Sequence, residues 1–323
     1  MFLKQTTVEE SRKVLPKAKE KRARKTLGRM YKDRYLYLMM FPVLVFFFIF
    51  KYIPMYGTII AFKDFRFVDG IMGSEFVGLK HFIRLFSSED FYRIFANTLL
   101  LNVYNVIFSF PVPIILAILL NEVRNRWFKK SIQSILYIPH FISWVVLGGI
   151  IINILSPSSG VINQILKACG AEPIYFMRSS FWWIVVFVCS TIWQTAGWGT
   201  IVYLAAITSI DAEQYDAAVI DGANKWQQIT KITLPSIRGT IAIMLILRMG
   251  QMLDVGFEQI YMLQNDAVLN VSDVISTYEY RVGLEGMQYS YTAALGLFKG
   301  LIGLILITST NYIVRRLGEN GLW

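Results

Sequence analysis

Two cysteines, two histidines and nine prolines are all that the 323-residue chain has of those types, and charged residues make up only 17% of it. Cys169 and Cys189 are too few for a disulfide scaffold or a structural zinc site. His81 and His140 leave little for metal or acid–base chemistry, and the chain has no Gly-x4-Gly-Lys-Ser/Thr stretch to cradle a nucleotide phosphate. Soluble proteins average about 25% charged residues. A chain this poor in charge and 55% hydrophobic is not an ordinary globular domain. Its apolar residues come in blocks of twenty or more, each long enough to cross a hydrocarbon core about 30 Å thick. The sequence predicts an all-α polytopic membrane protein.

The positive charge is uneven. Residues 1–34 carry twelve Lys and Arg against four Asp and Glu, which is +8 of the total +10. A basic nucleic-acid-binding surface over the whole chain is therefore not indicated. A basic tail beside a hydrophobic segment suits an anionic inner leaflet. Leu27, Met30, Tyr31 and Arg34 fall at i, i+3, i+4 and i+7, the spacing of a short interfacial helix, and Pro16 breaks any longer one. For residues 1–26, a disordered tail that merely fixes topology is the alternative. A cleaved signal peptide is not expected, because Leu36–Phe50 leads into Lys51 and Pro54 rather than a small-residue cleavage site.

Hydropathy predicts six spans, at 36–60, 94–120, 132–155, 181–208, 239–261 and 291–314. With the N-terminus inside, twenty-one Lys and Arg fall in cytoplasmic segments, eight in outer ones and three within spans. That bias supports an N-in, C-in arrangement. The organisation reads as a basic tail over 1–34, a membrane domain over 35–323, and a cytoplasmic loop over 212–235 inside it. Trp182 and Trp183 suit an interface-anchoring role. Trp193 and Trp198 lie about 15 Å and 22 Å further along the helix at 1.5 Å per residue, too deep for that interface. Cys189 is expected to be buried in span four.

The loop after span four is the most informative segment, running from Tyr215 through Asp216, Ala217, Ala218, Asp221, Gly222 and Ala223 to Pro235. Asp211 can cap a short helix reaching Ile220, and Gly222 permits the positive φ that ends it. Trp226, Ile229, Ile232 and Thr233 then mark a second amphipathic segment, and Pro235 redirects the chain into span five. Such a helical knob is shaped to dock in a groove of a soluble partner, although a surface hairpin without a partner satisfies the same pattern.

The stretch from Asp216 to Pro235 resembles the signature loop of the permease subunits of binding-protein-dependent ABC importers: Glu-Ala-Ala, three residues, Gly, nine residues, then Ile-x-Leu-Pro. Asp216, Ala217, Ala218, Gly222, Ile232, Leu234 and Pro235 match in register, with Asp216 in place of the usual Glu. Asp221-Gly222-Ala223 resembles the sugar-transporting branch. Phe76–Phe82 with Asn97-Thr98-Leu99, Gly256–Tyr261, Val274–Tyr278 and Gly321-Leu322-Trp323 are similar to the subgroup that imports complex oligosaccharides, including alginate-derived uronic-acid chains.

The resemblance implies a type I ABC importer permease fold in a bacterial inner membrane. It implies a second homologous permease, two ATPase subunits that hold ATP and magnesium, and an extracytoplasmic solute-binding protein. This chain would have no catalytic residue and no cofactor of its own. Residues 212–225 would be the coupling helix. The chain would translocate an oligosaccharide, acidic in the alginate-like case, by alternating access.

Polar residues inside spans are the candidates for the solute path. On a continuous span-five helix, Gln251, Asp254, Glu258 and Tyr261 share a stripe about 80° wide, and Arg248 lies about 60° to its side. Ionisable groups cost at least about 2.5 kcal/mol each in hydrocarbon, so they should face protein or water. Arg248 would meet a sugar carboxylate, or neutralise Asp254 or an acid of a partner subunit. Trp193, Gln194, Trp198 and Tyr203 on span four would stack on pyranose faces or pack against helices. Lys299, within Gly296–Gly300, needs an acidic or carbonyl partner or water. The Gly-x3-Gly spacing suits close helix packing. Asn102 and Asn105 should bond to adjacent helices. The alternative function is a carrier or channel driven by an ion gradient, with the span-five charges as its coupling site. A membrane-embedded transferase would need a clustered nucleophile, base or metal set, and none is apparent.

Overall fold

A computed structural model describes residues 32–319 and 321–323. The expected interfacial helix over Leu27–Tyr31 lies outside the described residues. The chain divides into two compact units, Met1–Ile59 and Ile60–Trp323.

In the first unit, α1 (Arg34–Phe47) passes into a wide π-helical turn, Phe48–Tyr52, just ahead of Pro54. The same device recurs in the second unit. A π turn at Asn105–Ser109 precedes Pro111, and another at Ile229–Thr233 precedes Pro235. Proline has no N–H to give and its ring crowds the carbonyl four residues back. A widened turn ahead of it absorbs both defects without breaking the helix. Pro235 therefore does not redirect the chain: one helix runs from Lys225 to Gly250 through it.

The second unit opens with β1 (Lys63–Asp64) paired antiparallel with β2 (Glu75–Phe76), Lys63 opposite Phe76. Then come α2 (Lys80–Phe86), α3 (Glu89–Tyr104), α4 (Pro111–Glu122), α5 (Arg126–Tyr137), α6 (Trp144–Ile154) and α7 (Val161–Ala168). The long α8 (Ser180–Thr208) is followed by α9 (Ala212–Ile220), α10 (Leu234–Gly250), α11 (Phe257–Leu263), α12 (Ile275–Tyr278) and α13 (Tyr289–Arg316). Among the described residues five helical stretches are long and apolar enough to span a membrane, and a pair, Arg126–Phe141 and Trp144–Ile154, bent by 104°, passes the same test only when taken together. Five of the six expected spans thus have a helix of sufficient length among the described residues, and the bent pair covers the place of the other. The third is not straight, and the fifth is shifted, covering Lys225–Gly250 rather than 239–261.

The core is centred on α8, half of whose apolar window is buried. Trp183 is fully buried, stacks on Phe187 at 5.6 Å and donates from Nε1 to the Leu263 carbonyl at 2.8 Å. It is a core residue and not an interface anchor. Gly197 lets α8 approach α5 so closely that a Cβ there would sit 1.9 Å from the Leu136 carbonyl oxygen.

Between α10 and α13 the chain is broken into short helices and turns, whose unpaired amides and carbonyls need partners when buried. Polar side chains answer that demand. Asn97 Nδ2 donates to the carbonyls of Asn270 and Asp273, the Ile275 amide donates to Thr98 Oγ1, and Asn102 Nδ2 donates to the Met252 carbonyl at 2.8 Å. Gln259 Nε2 donates to the Phe187 carbonyl at 2.9 Å. An interhelical bond in a membrane protein averages only about 0.6 kcal/mol net. These bonds therefore matter less as added stability than as partners for buried backbone groups that the short helices leave unpaired.

Candidate functional site

The loop knob is built as its residues dictate. Asp211 Oδ1 accepts from the Glu213 amide at 3.0 Å and starts α9, and Gly222 at φ 78° ends it. Asn224 and Gln227 cap each other reciprocally to start the next helix. Tyr215 Oη and Thr233 Oγ1, 2.9 Å apart, tie the two arms together. Lys225 Nζ meets Glu122 Oε2 at 2.9 Å, bracing the knob on the end of α4. Asp216, Ala217, Asp221 and Gly222 face solvent, as do the apolar side chains Val219, Ile220 and Trp226, at 60%, 86% and 72% exposure. Ala218 and Ala223 are half-buried between the arms. A rigidly braced protrusion that presents apolar side chains can transmit force to whatever covers it.

The polar stripe expected on span five does not exist as such, because the helix it required ends. α10 stops at Gly250, residues 251–253 form a turn, 254–256 are extended or irregular, and Glu258 and Tyr261 lie on the separate α11. At that end the helix packs closely on its neighbour. A Cβ at Gly250 would touch Ile307 Cδ1 at 3.1 Å, and one at Gly303 would meet the Gly250 carbonyl at 3.2 Å. α10 and α13 thus come together at a Gly250–Gly303 pair, and not at Gly296–Gly300, whose Cα atoms face open space or Glu279.

Beside that glycine pair a cavity of about 530 Å³ opens, with Gln251, Asp254, Glu279 and Lys299 on its wall. Lys299 Nζ lies 3.5 Å from Glu279 Oε2 and 3.7 Å from Asp254 Oδ1, the acidic partners its position in a span requires. Burial pushes the Glu279 carboxyl above its ordinary range, and the Lys299 ammonium pulls it back. Glu279 also lines an adjoining cavity of about 510 Å³ with Phe257, Tyr280 and Tyr289. Tyr261 packs there through Phe257 and Tyr280, at 5.2 Å and 5.4 Å between ring centroids. Glu258 is exposed on the same helix. The arrangement places hydrogen-bonding groups and aromatic faces along one wall, the chemistry that sugar hydroxyls and ring faces engage.

Arg248 does not reach Asp254. It donates from Nη2 to Asn102 Oδ1 at 3.2 Å, so of its expected uses the neutralisation of Asp254 is not realised. Asn102 bridges helices as expected, whereas Asn105 accepts from Ser109 of its own helix. On α8, Tyr203 is buried with Ala117 and Ile237, which is packing. Gln194 Nε2 reaches the His140 carbonyl at 3.5 Å, and Trp198 stacks on the His140 ring at 4.7 Å. Trp193 borders an apolar cavity with Cys189, which is exposed and not buried as expected. Neither tryptophan shares a wall with Lys299. Glu279 and the Asp273–Arg281 pair, at 2.7 Å with Asp273 2% exposed, were not singled out from sequence. Buried charge in the 264–288 loop was the only signal available.

The family model of the binding-protein-dependent transport system inner membrane component matches residues 90–319. The polygalacturonan/rhamnogalacturonan transport system permease protein YteP of Bacillus subtilis (strain 168) is 45% identical over 94% of this chain and 95% of its own length. The protein LplB of the same organism is 43% identical over 92% and 93%. A chain in the crystal structure of a bacterial alginate ABC transporter, in complex with an alginate pentasaccharide-bound periplasmic protein, superposes with a TM-score of 0.84 at 41% identity, covering 91% of this chain and 99% of that one. The ion-gradient alternative gives way to these likenesses. The chain belongs to the inner membrane components of binding-protein-dependent transport systems, and is the multi-pass permease subunit of an ABC importer.

Proposed function

We propose that this permease carries a uronate-containing oligosaccharide into the cytoplasm by alternating access, together with a second permease, two ATPase subunits that bind ATP and magnesium, and an extracytoplasmic solute-binding protein. The observation that carries the coupling is the knob at 212–225, with Val219, Ile220 and Trp226 bare and the Lys225–Glu122 bridge behind it. Seated in an ATPase groove, it would turn closure of the ATPase pair into movement of α4 and α10, the two helices that its braces reach. ATP hydrolysis belongs to those partners.

The solute class rests on the polymers named for two relatives, since polygalacturonan and alginate are both built from uronic acids. Within this chain, Gln251, Asp254, Glu258, Tyr261, Glu279 and Lys299 form its wall of the path, with Lys299 as the cation nearest a passing carboxylate. The test is ATP hydrolysis by the reconstituted assembly against a panel of binding-protein-delivered oligosaccharides. Uronic oligosaccharides should stimulate hydrolysis and length-matched neutral ones should not. Equal stimulation by both would remove the acidic-solute reading, and no dependence on the binding protein would remove the importer mechanism.

A further inference from the structure

A second polar concavity lies on the face that the loop charges place outside, next to the cavity that Glu279 lines, with Tyr289 on the wall of both. It forms where the end of β1, the start of α2 and the turn into α13 meet. Asp64, Arg66, His81, Arg84, Gln288 and Tyr289 stand around a space of about 280 Å³. That is close to the lower end of ligand cavities, roughly 300 Å³, and has room for a single sugar ring.

Its charge is unbalanced in a specific way. The Asp64 carboxylate is already used: Lys80 Nζ lies 2.5 Å from Oδ2 and His81 Nε2 lies 3.0 Å from Oδ1. The Lys80 bond holds that carboxyl below the usual range. Arg66 and Arg84 are left with no acidic partner among the described residues. Arg84 rests its guanidinium on the Tyr291 ring, 4.7 Å from the centroid. A guanidinium stacked by its face keeps its in-plane N–H donors free, and these match a carboxylate in pairs.

The backbone around the pocket is held in an unusual shape. Met287 has φ 53°, the one positive value at a non-glycine among the described residues. Strain of this kind persists only where the surroundings enforce it, and it clusters at binding sites. Here the Gln288 amide donates to the Val282 carbonyl at 3.1 Å, and the Phe65 amide donates to Ser290 Oγ at 2.9 Å, pinning the turn to the ribbon. Tyr289 is set edge-on to Phe65 and Phe67, with centroids 6.2 Å and 5.0 Å away, giving the pocket an aromatic flank.

We propose that this pocket binds one uronate ring on the outer face, with Arg66 and Arg84 on its carboxylate, Gln288 on ring hydroxyls and Tyr289 against its apolar face. It is an entry site ahead of the path lined by Lys299. The idea rests on the uronate reading above, but its test does not need transport.

The complete transporter, in nanodiscs without nucleotide or binding protein, is titrated with D-galacturonate and with D-galactose, which lacks the carboxylate, and binding is followed by saturation-transfer NMR. Galacturonate should bind at least tenfold more tightly than galactose. The double variant Arg66→Gln, Arg84→Gln should lose that advantage while keeping wild-type basal ATP hydrolysis, which reports that it is folded and assembled. Undiminished galacturonate binding in that variant overturns the proposal. So does a variant that binds galacturonate normally but holds the unloaded binding protein tenfold more weakly, because the pocket then takes a protein carboxylate. Arginine-dependent galacturonate binding, with no stimulation by uronic oligosaccharides in the transport panel, would keep the pocket and remove the solute reading.

Discussion

Gly222 is where backbone geometry and coupling meet. Its φ of 78° lies in the left-handed region, and open space surrounds its missing side chain. A replacement there is judged by conformation and not by clash. Left-handed backbone costs an ordinary L-residue about 1–2 kcal/mol, more for a β-branched one, while Asn visits it readily. Gly222→Val should therefore leave the protein inserted and assembled but abolish stimulation of ATP hydrolysis, and Gly222→Asn should retain it. Unchanged stimulation in the valine variant would count against the coupling role. Lys299 gives a residue-scale prediction of a different kind. Removing its ammonium in Lys299→Met leaves Glu279 with burial, which raises its carboxyl, and without the cation that lowered it. A carboxyl raised in the folded state stabilises the fold below its ordinary range and loses that contribution as pH rises. Lys299→Met should thus be transport-defective at neutral pH and partly rescued in acidic buffer, whereas Lys299→Arg should not need the rescue. Uptake measured at the two pH values decides it.

At the scale of elements, hydropathy locates segments well and says little about what they face. Span four was legible almost to the residue, and Asp211, Gly222 and the alanines between them specify the knob's first helix from local rules alone. Span five was misplaced because Met252, Leu253 and Val255 continue the apolar pattern beyond Gly250. All three are buried against protein rather than lipid, at 7%, 2% and 2% exposure, and hydropathy does not distinguish the two. The polar stripe was a consequence of that false continuity. The stretches that carried the family resemblance were more informative than their spacing suggested. Asn97 and Thr98 turn out to hold the backbone of Asp273 and Ile275, so two of those stretches pack on each other. Helix approach was likewise invisible, since Gly197 is one glycine among 22 until its distance to Leu136 is known. Gly197→Ala must push α5 and α8 apart, and overpacking of this kind costs typically about 1–3 kcal/mol. The expected outcome is a lower midpoint of thermal inactivation for the purified complex, with Gly149→Ala, which meets no atom within 4 Å, as the neutral control. The Lys225–Glu122 brace makes a reciprocal prediction. Lys225→Glu should weaken ATPase stimulation and Lys225→Glu with Glu122→Lys should restore part of it, with only a small change in stability because both partners are partly solvated.

The whole molecule is one part of a larger machine by its own surfaces. Only 17% of the apolar window of Glu89–Glu122 and 11% of that of Tyr289–Arg316 is buried within the chain, against 50% for Ser180–Thr208. These two spans, and Lys225–Gly250 at 17%, therefore leave most of their apolar surface to be covered by lipid or by a neighbour. On the proposed mechanism the free energy for uphill transport arrives from the ATPase subunits. If it arrives through the knob, transport depends on nucleotide and not on an ion gradient. Vesicles containing the full assembly should accumulate oligosaccharide when ATP and magnesium are inside and the binding protein is outside. Ionophores that collapse proton and sodium gradients should leave the initial rate unchanged, and a non-hydrolysable ATP analogue should reduce it to background. Cysteines introduced at Ala217 and Ala223, on the knob, should form crosslinks to the ATPase subunit whose yield changes between the nucleotide-free and analogue-bound states. Uptake that follows the ion gradient without ATP, together with crosslinks that never form, would mean that this protrusion is a surface hairpin and that the charges around Lys299 are the energy-coupling site instead.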